Sequence, residues 1–149
     1  MRKVWGGFTL IELMVTVAIV ATLATIAVTS YRKYVMRANR TEARNALLAM
    51  ASAQEKYYLQ NNTYAVDMAD APPTGLGIAT PTPSGWYRLT LTGVGGLPTP
   101  DATGFTATAT AVGSQAQDAD CAVFTVNSQQ AQTATNSAGT DNSAVCWSK

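Results

Sequence analysis

The feature that most constrains this chain is an apolar run near its start. From Leu13 to Tyr31 the sequence contains 19 consecutive residues without a charge. As an α-helix this run would be about 28 Å long, close to the ~30 Å hydrocarbon core of a bilayer. A helix buried in a soluble core would show a polar face, but this run is apolar on all sides apart from scattered threonines. The sequence therefore predicts a membrane-spanning helix over residues 8–31.

Charge is distributed unevenly between the two parts of the chain. Residues 1–56 contain eight Lys and Arg and three Glu, whereas residues 57–149 contain Arg88 and Lys149 against six Asp. A basic, apolar front and a mildly acidic, polar back are expected to face different surroundings. The chain has no histidine, which excludes Ser-His-Asp and Cys-His nucleophiles and His-ligated metals. No general-base constellation or phosphate loop is present, so we expect no enzyme activity, no cofactor and no metal.

Glu12 is the only charged residue between positions 8 and 31. An ionised carboxylate in a membrane helix costs about 2.5–3.5 kcal/mol, so it usually has a partner, unless it lies at the membrane surface and only reaches outward. The small residues Gly6 and Gly7 precede the apolar run, whereas in a secretory signal they follow it. Cleavage after Gly7 would leave an amine on Phe8, largely cationic at neutral pH because its reference pKa is about 7.7–8.0. Glu12 could neutralise that amine in the same chain or in a neighbouring one.

These residues carry a family resemblance. The segment Gly7-Phe8-Thr9-Leu10-Ile11-Glu12-Leu13-Met14, between a basic leader and the apolar run, resembles the prepilin signature of type IV pilins and pseudopilins. The resemblance implies that residues 1–7 are a leader, that a prepilin peptidase cleaves after Gly7, that Phe8 is N-methylated and that Glu12 is the assembly glutamate. Many pilins carry Gly and Pro where this chain has Ala21 and Thr29, so we do not expect partial melting of the helix.

The helix is expected to extend well beyond the apolar run, because no Gly or Pro occurs between Phe8 and Tyr58. Leu47, Met50 and Tyr57 recur at helical spacing and predict an amphipathic half over residues 32–60. Asn61 and Asn62 are typical of a helix end. A basic cluster just past the apolar run is expected to contact lipid phosphates or acidic faces of neighbouring subunits, with a solvated helix face as the alternative. Its members are Arg32, Lys33, Arg37, Arg40 and Arg44.

The second half of the chain predicts a sheet. Residues 61–85 are rich in Pro and Gly and read as a helix-to-sheet loop, and residues 86–149 contain β-type runs at 86–92, 105–111 and 122–126, with a weaker one at 132–135. Alternation over residues 105–111 places Phe105 on one face with alanines and puts threonines on the other. We expect an antiparallel meander with one face on the helix and a wet, Thr-rich outer face. The predicted fold class is α+β, a long N-terminal helix packed on a C-terminal antiparallel sheet, as in type IV pilins.

Cys121 and Cys146 are the two cysteines. An even count in an exported domain indicates one disulfide, worth about 3.5 kcal/mol in the chain-entropy model. Two free thiols are the alternative, and a zinc site is disfavoured because two ligands are missing. In type IV pilins, a pair in this position bounds a surface loop.

A count of Lys and Arg on the two sides of the apolar run would place the C-terminal part of the chain in the cytosol. The cysteines and the order of the leader favour the periplasm instead. Asp118 and Asp120 are expected to be solvated loop residues.

The resulting prediction is a structural subunit of a type IV pilus. It would lie in the bacterial inner membrane as a precursor and then in the extracellular pilus, with other pilin subunits and an inner-membrane assembly platform as partners. The resemblance implies adhesion, twitching motility or DNA uptake. The alternatives are a pseudopilin of a type II secretion system, a pilus-associated DNA receptor and an uncleaved membrane-anchored domain. A DNA receptor needs a basic patch, and residues 57–149 offer only Arg88 and Lys149, so we do not expect nucleic-acid binding through this domain alone.

Overall fold

A computed structural model describes residues 7–148 of the chain. The chain divides into two compact units between Val35 and Met36. Helix α1, Leu10–Asn61, contributes its first half to the first unit and its second half to the second. Residues 1–6 of the predicted leader 1–7, and Lys149, lie outside the described residues.

The first unit is the N-terminal half of α1. The side chains of residues 8–28 are exposed, including large apolar ones such as Ile11, Leu23 and Ile26. The helix continues without interruption through Ala21, as expected where alanine replaces a helix-loosening glycine. An 18-residue window of α1 reaches a mean hydropathy of 2.3, so by length and composition this helix could cross a membrane.

The second half of α1 belongs to the second unit and has one buried face. Ala43, Leu47 and Met50 are fully buried, as the helical spacing predicts. The helix ends at Asn61, and Asn62 takes a positive φ of 53°, a left-handed conformation that asparagine tolerates at a helix end. The two asparagines therefore close the helix within two residues of the expected position.

The sheet has four antiparallel strands in the order β1-β2-β3-β4, a simple meander. The strands are β1 Tyr87–Gly93, β2 Phe105–Ala111, β3 Val123–Asn127 and β4 Gln132–Thr135. Burial alternates along β2, with Phe105 and the alanines buried and the threonines at least partly exposed. One row of threonines crosses all four strands on the outer face and comprises Thr90, Thr108, Thr125 and Thr133.

The helix and the sheet share one hydrophobic core. Tyr87, Phe105 and Phe124 are its largest fully buried rings, and they cluster with Leu47 and Met50 of α1. The many small residues of the sheet, such as the alanines of β2, allow a close approach of sheet and helix but bury little area each. The stability of the domain therefore depends on a few aromatic rings, together with a disulfide and buried polar contacts.

The loop between α1 and β1 is tied to the helix by a buried glutamine. The Gln54 side chain donates to the Ala65 carbonyl at 2.9 Å and accepts from the Ala65 amide at 2.8 Å. Farther along, the Thr80 hydroxyl accepts from the Leu89 amide at 2.9 Å, on the outer edge of β1. The loop thereby covers a strand edge whose free amides would otherwise remain open to pairing with another chain.

Candidate assembly segment and its domain

The prepilin-like segment begins just before helix α1. Phe8 is 81% exposed, and apart from the chain neighbours of Gly7 no heavy atom of residues 7–148 lies within 4 Å of the position that a Cβ on Gly7 would take. Thr9 caps the helix, because its Oγ1 accepts from the Glu12 amide at 3.3 Å. Thr9 and Glu12 have the spacing of a capping box, in which a threonine is followed three residues later by a glutamate. The proposed cleavage point is therefore in an open stretch directly before an ordered helix start.

Glu12 lies in the first turn of α1, where a negative charge interacts favourably with the helix dipole. Its side chain is exposed, and its carboxylate has no hydrogen-bond or ion-pair partner among residues 7–148. Two threonine hydroxyls of this half, in contrast, form hydrogen bonds within the helix. The hydroxyls of Thr16 and Thr22 donate to carbonyls three residues earlier at 2.9 and 2.8 Å, which suits them to an apolar environment. Glu12 is the one carboxylate among the described residues of the first unit, and it has no polar partner there.

The basic cluster is split between the two units. Arg32 and Lys33 are exposed residues of the first unit, and Arg37 is an exposed residue of the second. Arg44 is half-buried, and it donates to the carbonyl oxygens of Trp147 at 3.4 Å and Ser148 at 2.6 Å.

Arg40 departs from the expectation of an outward contact, because it is buried and paired within its own domain. Its Nε and Nη2 donate to the two carboxylate oxygens of Asp118, each at 2.7 Å, and Nη2 lies 3.5 Å from Asp120. The hydrogen bond to Asp118 raises the pKa of Arg40 against the opposing effect of burial. Asp118 is only 4% exposed, so the expectation that it is solvated is wrong, whereas the side chain of Asp120 is 64% exposed.

A buried amide extends this ion pair into a network. The Gln115 Nε2 atom donates to the Met36 carbonyl and the Tyr87 hydroxyl, each at 3.0 Å, and lies 3.3 Å from Asp118. Its Oε1 accepts from Asn39 at 3.1 Å. Burial raises the pKa of Tyr87 to about 12. No buried side-chain polar atom of the described residues lacks a partner, so the network ties α1 to the segment before β3 without an unsatisfied group.

The predicted disulfide between Cys121 and Cys146 is present. The bond joins Cys121, which lies two residues before β3, to Cys146, the last residue of the short helix α2, Ser143–Cys146. The C-terminal segment is fastened further, since Trp147 donates from Nε1 to the Thr133 carbonyl at 3.0 Å and packs on Phe124 with ring centroids 5.9 Å apart. The C-terminal segment is thus attached to α1 through Arg44 and to the sheet through Trp147.

Sequence reasoning missed three of these features. The Thr9 cap has a readable signal, a Thr followed three residues later by a Glu. The Gln115 network and the Arg40–Asp118 pair have none, because their members are up to 79 residues apart. Among residues 7–148 no group of His, Cys, Asp or Glu has the arrangement of a metal site.

A long apolar helix whose second half packs on a four-stranded antiparallel meander is the type IV pilin fold. The family model described as type IV minor pilin ComP, DNA uptake sequence receptor, matches residues 29–125, and the prokaryotic N-terminal methylation motif matches residues 6–28. The chain therefore belongs to this type IV minor pilin family. As a pilin it is a structural protein and not an enzyme.

Curated relatives resemble about half of the chain. Over 71 residues the chain is 39% identical to the fimbrial protein EcpC of Eikenella corrodens, covering 48% of this chain and 46% of that protein. It is 39% identical over 72 residues to the type IV major pilin protein PilA of Myxococcus xanthus, covering 46% and 33%. It is also 39% identical over 71 residues to the type IV major pilin protein PilE of Neisseria gonorrhoeae, covering 48% and 42%. The chain thus spans less than half the length of these relatives.

Proposed function

We propose that this chain is a structural subunit of a type IV pilus that polymerises through the apolar half of α1. The observation that carries the proposal is the joint match of residues 6–28 to a methylation motif and of residues 29–125 to a minor pilin model. An apolar helix half with exposed side chains and a second unit with its own core are consistent with this function. In a polymer, neighbouring helices would cover the apolar side chains.

The proposal includes a processing pathway. A prepilin peptidase cleaves after Gly7, Phe8 becomes the N-methylated first residue, and the precursor waits in the bacterial inner membrane with its domain in the periplasm. An assembly platform in that membrane then moves it into the extracellular pilus. Glu12 pairs with the Phe8 amine of a neighbouring subunit, because an unpaired carboxylate in an apolar bundle is costly. The open stretch at Gly7 and the unpartnered carboxylate of Glu12 support these steps.

Mass spectrometry of the native N-terminal peptide tests this proposal. The peptide is isolated from sheared surface fibres and from membranes of the same cells. N-methylated Phe8 in the sheared fraction is the expected result. A processed end confined to membranes would favour a pseudopilin of a type II secretion system, and an intact Met1 in both fractions would favour a plain membrane-anchored domain.

A second candidate function is DNA reception during uptake, which the family description favours. The charge of the domain opposes it, because residues 36–148 contain five Lys and Arg against eight Asp and Glu. Arg88 is the one cation on the outer face of the four strands. Its neighbours in register on the other three strands are uncharged. Phosphate contacts dominate DNA affinity and make it salt-dependent, so a receptor of this charge would use a few exposed cations.

Binding of duplex DNA to the purified domain, residues 36–149, decides the matter. A receptor would bind with an affinity that falls as salt rises, and Arg88→Glu would weaken binding further, with Thr90→Glu as a control for adding a negative charge to the same face. Absence of salt-sensitive binding would remove this candidate and leave the structural function in place.

A further inference from the structure

Three arginines of α1 line a cleft in the second unit. Arg37, Arg40 and Arg44 follow one another at spacings of three and four residues, so they share one flank of the helix. The opposite wall is the C-terminal segment, and the cleft has a volume of about 410 Å³. We call it the arginine cleft, and its full lining is Arg37, Arg40, Arg44, Asp120, Val145, Cys146 and Ser148.

The three guanidinium groups differ in how their charge is balanced. Arg40 is neutralised by Asp118. Arg44 contacts only neutral acceptors within residues 7–148, namely two carbonyl oxygens and the Thr41 hydroxyl. Arg37 is exposed, and its side chain has no hydrogen bond or ion pair with the described residues. Because the exposed Asp120 also lines the cleft, three arginines stand against two carboxylates, and Arg37 is the cation without a partner among the described residues.

The arrangement suits an acidic side chain. Arg44 is held in place by its carbonyl acceptors, so little further side-chain entropy is lost when it binds an anion. Arginine binds carboxylates through paired hydrogen bonds that are shorter and stronger than neutral ones. Val145, which is 51% exposed, gives the cleft an apolar wall on which the methylene groups of a glutamate can pack.

We propose that the arginine cleft binds a carboxylate of the adjacent pilin subunit in the filament. This inference rests on the proposed function, which supplies the neighbour. A domain of this composition also supplies the carboxylate, because acidic residues outnumber basic ones in residues 36–148 and the loop residues Asp67 and Asp70 are exposed.

The positions of the basic cleft and of the acidic loop favour a polymer over a closed dimer. The acidic loop starts near Gln54, which binds Ala65 and lies about 15 Å along the helix from Arg44. Cleft and acidic loop are thus different surfaces at different heights of the domain. Contacts between unlike surfaces are head-to-tail, and they extend into open helical assemblies when the rotation does not close.

The test uses the full chain in piliated cells, with Arg37→Glu as the informative variant. The ratio of this subunit in sheared pili to that in membranes is expected to fall at least about tenfold, because a like-charge contact in an interface costs several kcal/mol. Arg37→Lys should retain most of the ratio. Lys56→Glu is the matched control, an exposed cation on the same helix outside the cleft, and it should leave the ratio unchanged.

Further readouts separate this inference from folding and from the proposed function. Membrane levels and the oxidised state of Cys121 and Cys146 should be equal in all variants, since Arg37 has no described partner within the fold. Wild-type incorporation by Arg37→Glu, or an equal fall for Lys56→Glu, would overturn the inference while leaving the pilus subunit intact. A variant that enters pili normally but loses duplex DNA binding would overturn it in favour of a nucleic-acid ligand. Absence of the wild-type chain from sheared pili would instead remove the proposed function itself.

Discussion

The two units use the same helix in opposite ways. In the first unit, apolar residues such as Ile11 and Ile26 are 71% and 69% exposed, whereas Leu47 and Met50 of the second unit are fully buried. Burial of apolar surface is the main stabilising contribution to folding. The second unit therefore has its own core, while the first can bury its side chains only in lipid or against other molecules.

Polar groups follow the same division. In the first unit the hydroxyls of Thr16 and Thr22 donate to carbonyls of their own helix, and the Glu12 carboxylate has no partner within residues 7–148. In the second unit a buried ion pair and a buried amide join parts of the domain that are far apart in sequence. Substitutions of the buried polar groups of the second unit should therefore change folding, whereas substitution of Glu12 in the first should change assembly.

The largest expected effect belongs to the buried ion pair of the second unit. Asp118→Asn leaves the Arg40 charge buried without its partner, which costs about 3–5 kcal/mol in comparable pairs. Urea unfolding of the domain, residues 36–149, measures the loss. Asp120→Asn is the matched control, because that carboxylate is 64% exposed and 3.5 Å from Arg40, and its change should stay below about 1 kcal/mol. Equal losses for the two variants would contradict a structural role specific to Asp118.

The disulfide comes next and also concerns the second unit alone. Cys146→Ser should destabilise the domain by about 3.5 kcal/mol and lower its melting temperature by roughly 15 °C, because the unfolded chain is no longer constrained. Thermal unfolding followed by circular dichroism measures the shift. Ser137→Ala, an exposed change within the same disulfide-bounded segment, should have little effect. An unaltered melting temperature in Cys146→Ser would show that the bond does not stabilise the domain.

Glu12→Ala examines the first unit. The variant should insert into the membrane and be cleaved, yet enter pili roughly 100-fold less, because the Phe8 amine would lie uncompensated in an apolar environment, where a single charge costs about 2.5–3.5 kcal/mol. Immunoblots of sheared pili and membranes give the ratio. Glu55→Ala, a partly exposed glutamate in the second half of the same helix, is the control. Normal piliation with Glu12→Ala as the only copy would refute the charge pairing.

Local patterns were sufficient for most of the fold. The apolar run, the absence of breakers up to Tyr58 and the alternation of Phe105 to Ala111 predicted α1 and the core strand of the sheet, because each depends on the period of its own residues. The helix end at Asn61 and Asn62 followed from the conformational tolerance of asparagine. The cysteine pair was predictable because only two cysteines were available.

The interior polar contacts could not be predicted in this way. Arg37 and Arg40 belong to the same basic cluster on α1, and nothing in the local sequence distinguishes them. Only the tertiary fold brings Asp118 into contact with Arg40. Asp118 and Asp120 likewise look alike in sequence, yet one is buried and one exposed. Gln115 lies in a short 3-10 turn, Gly113–Gln117, that has no periodic signal. Such pairs depend on packing between distant segments.

The smallest expected effect appears only at alkaline pH and concerns Tyr87. Its pKa is raised from 10.0 to about 12 by burial. The folded state therefore holds a proton that the unfolded state loses between those values, so the domain is fully stable below pH 10 and loses about 2–3 kcal/mol as pH rises to 12. Urea unfolding at pH 9, 10 and 11 should show this decline, and Tyr87→Phe should flatten it at the cost of the hydrogen bond from Gln115. Tyr57→Phe removes a hydroxyl elsewhere and should preserve the decline. An equally steep decline in Tyr87→Phe would mean that another group, and not this buried ring, carries the alkaline sensitivity of the second unit.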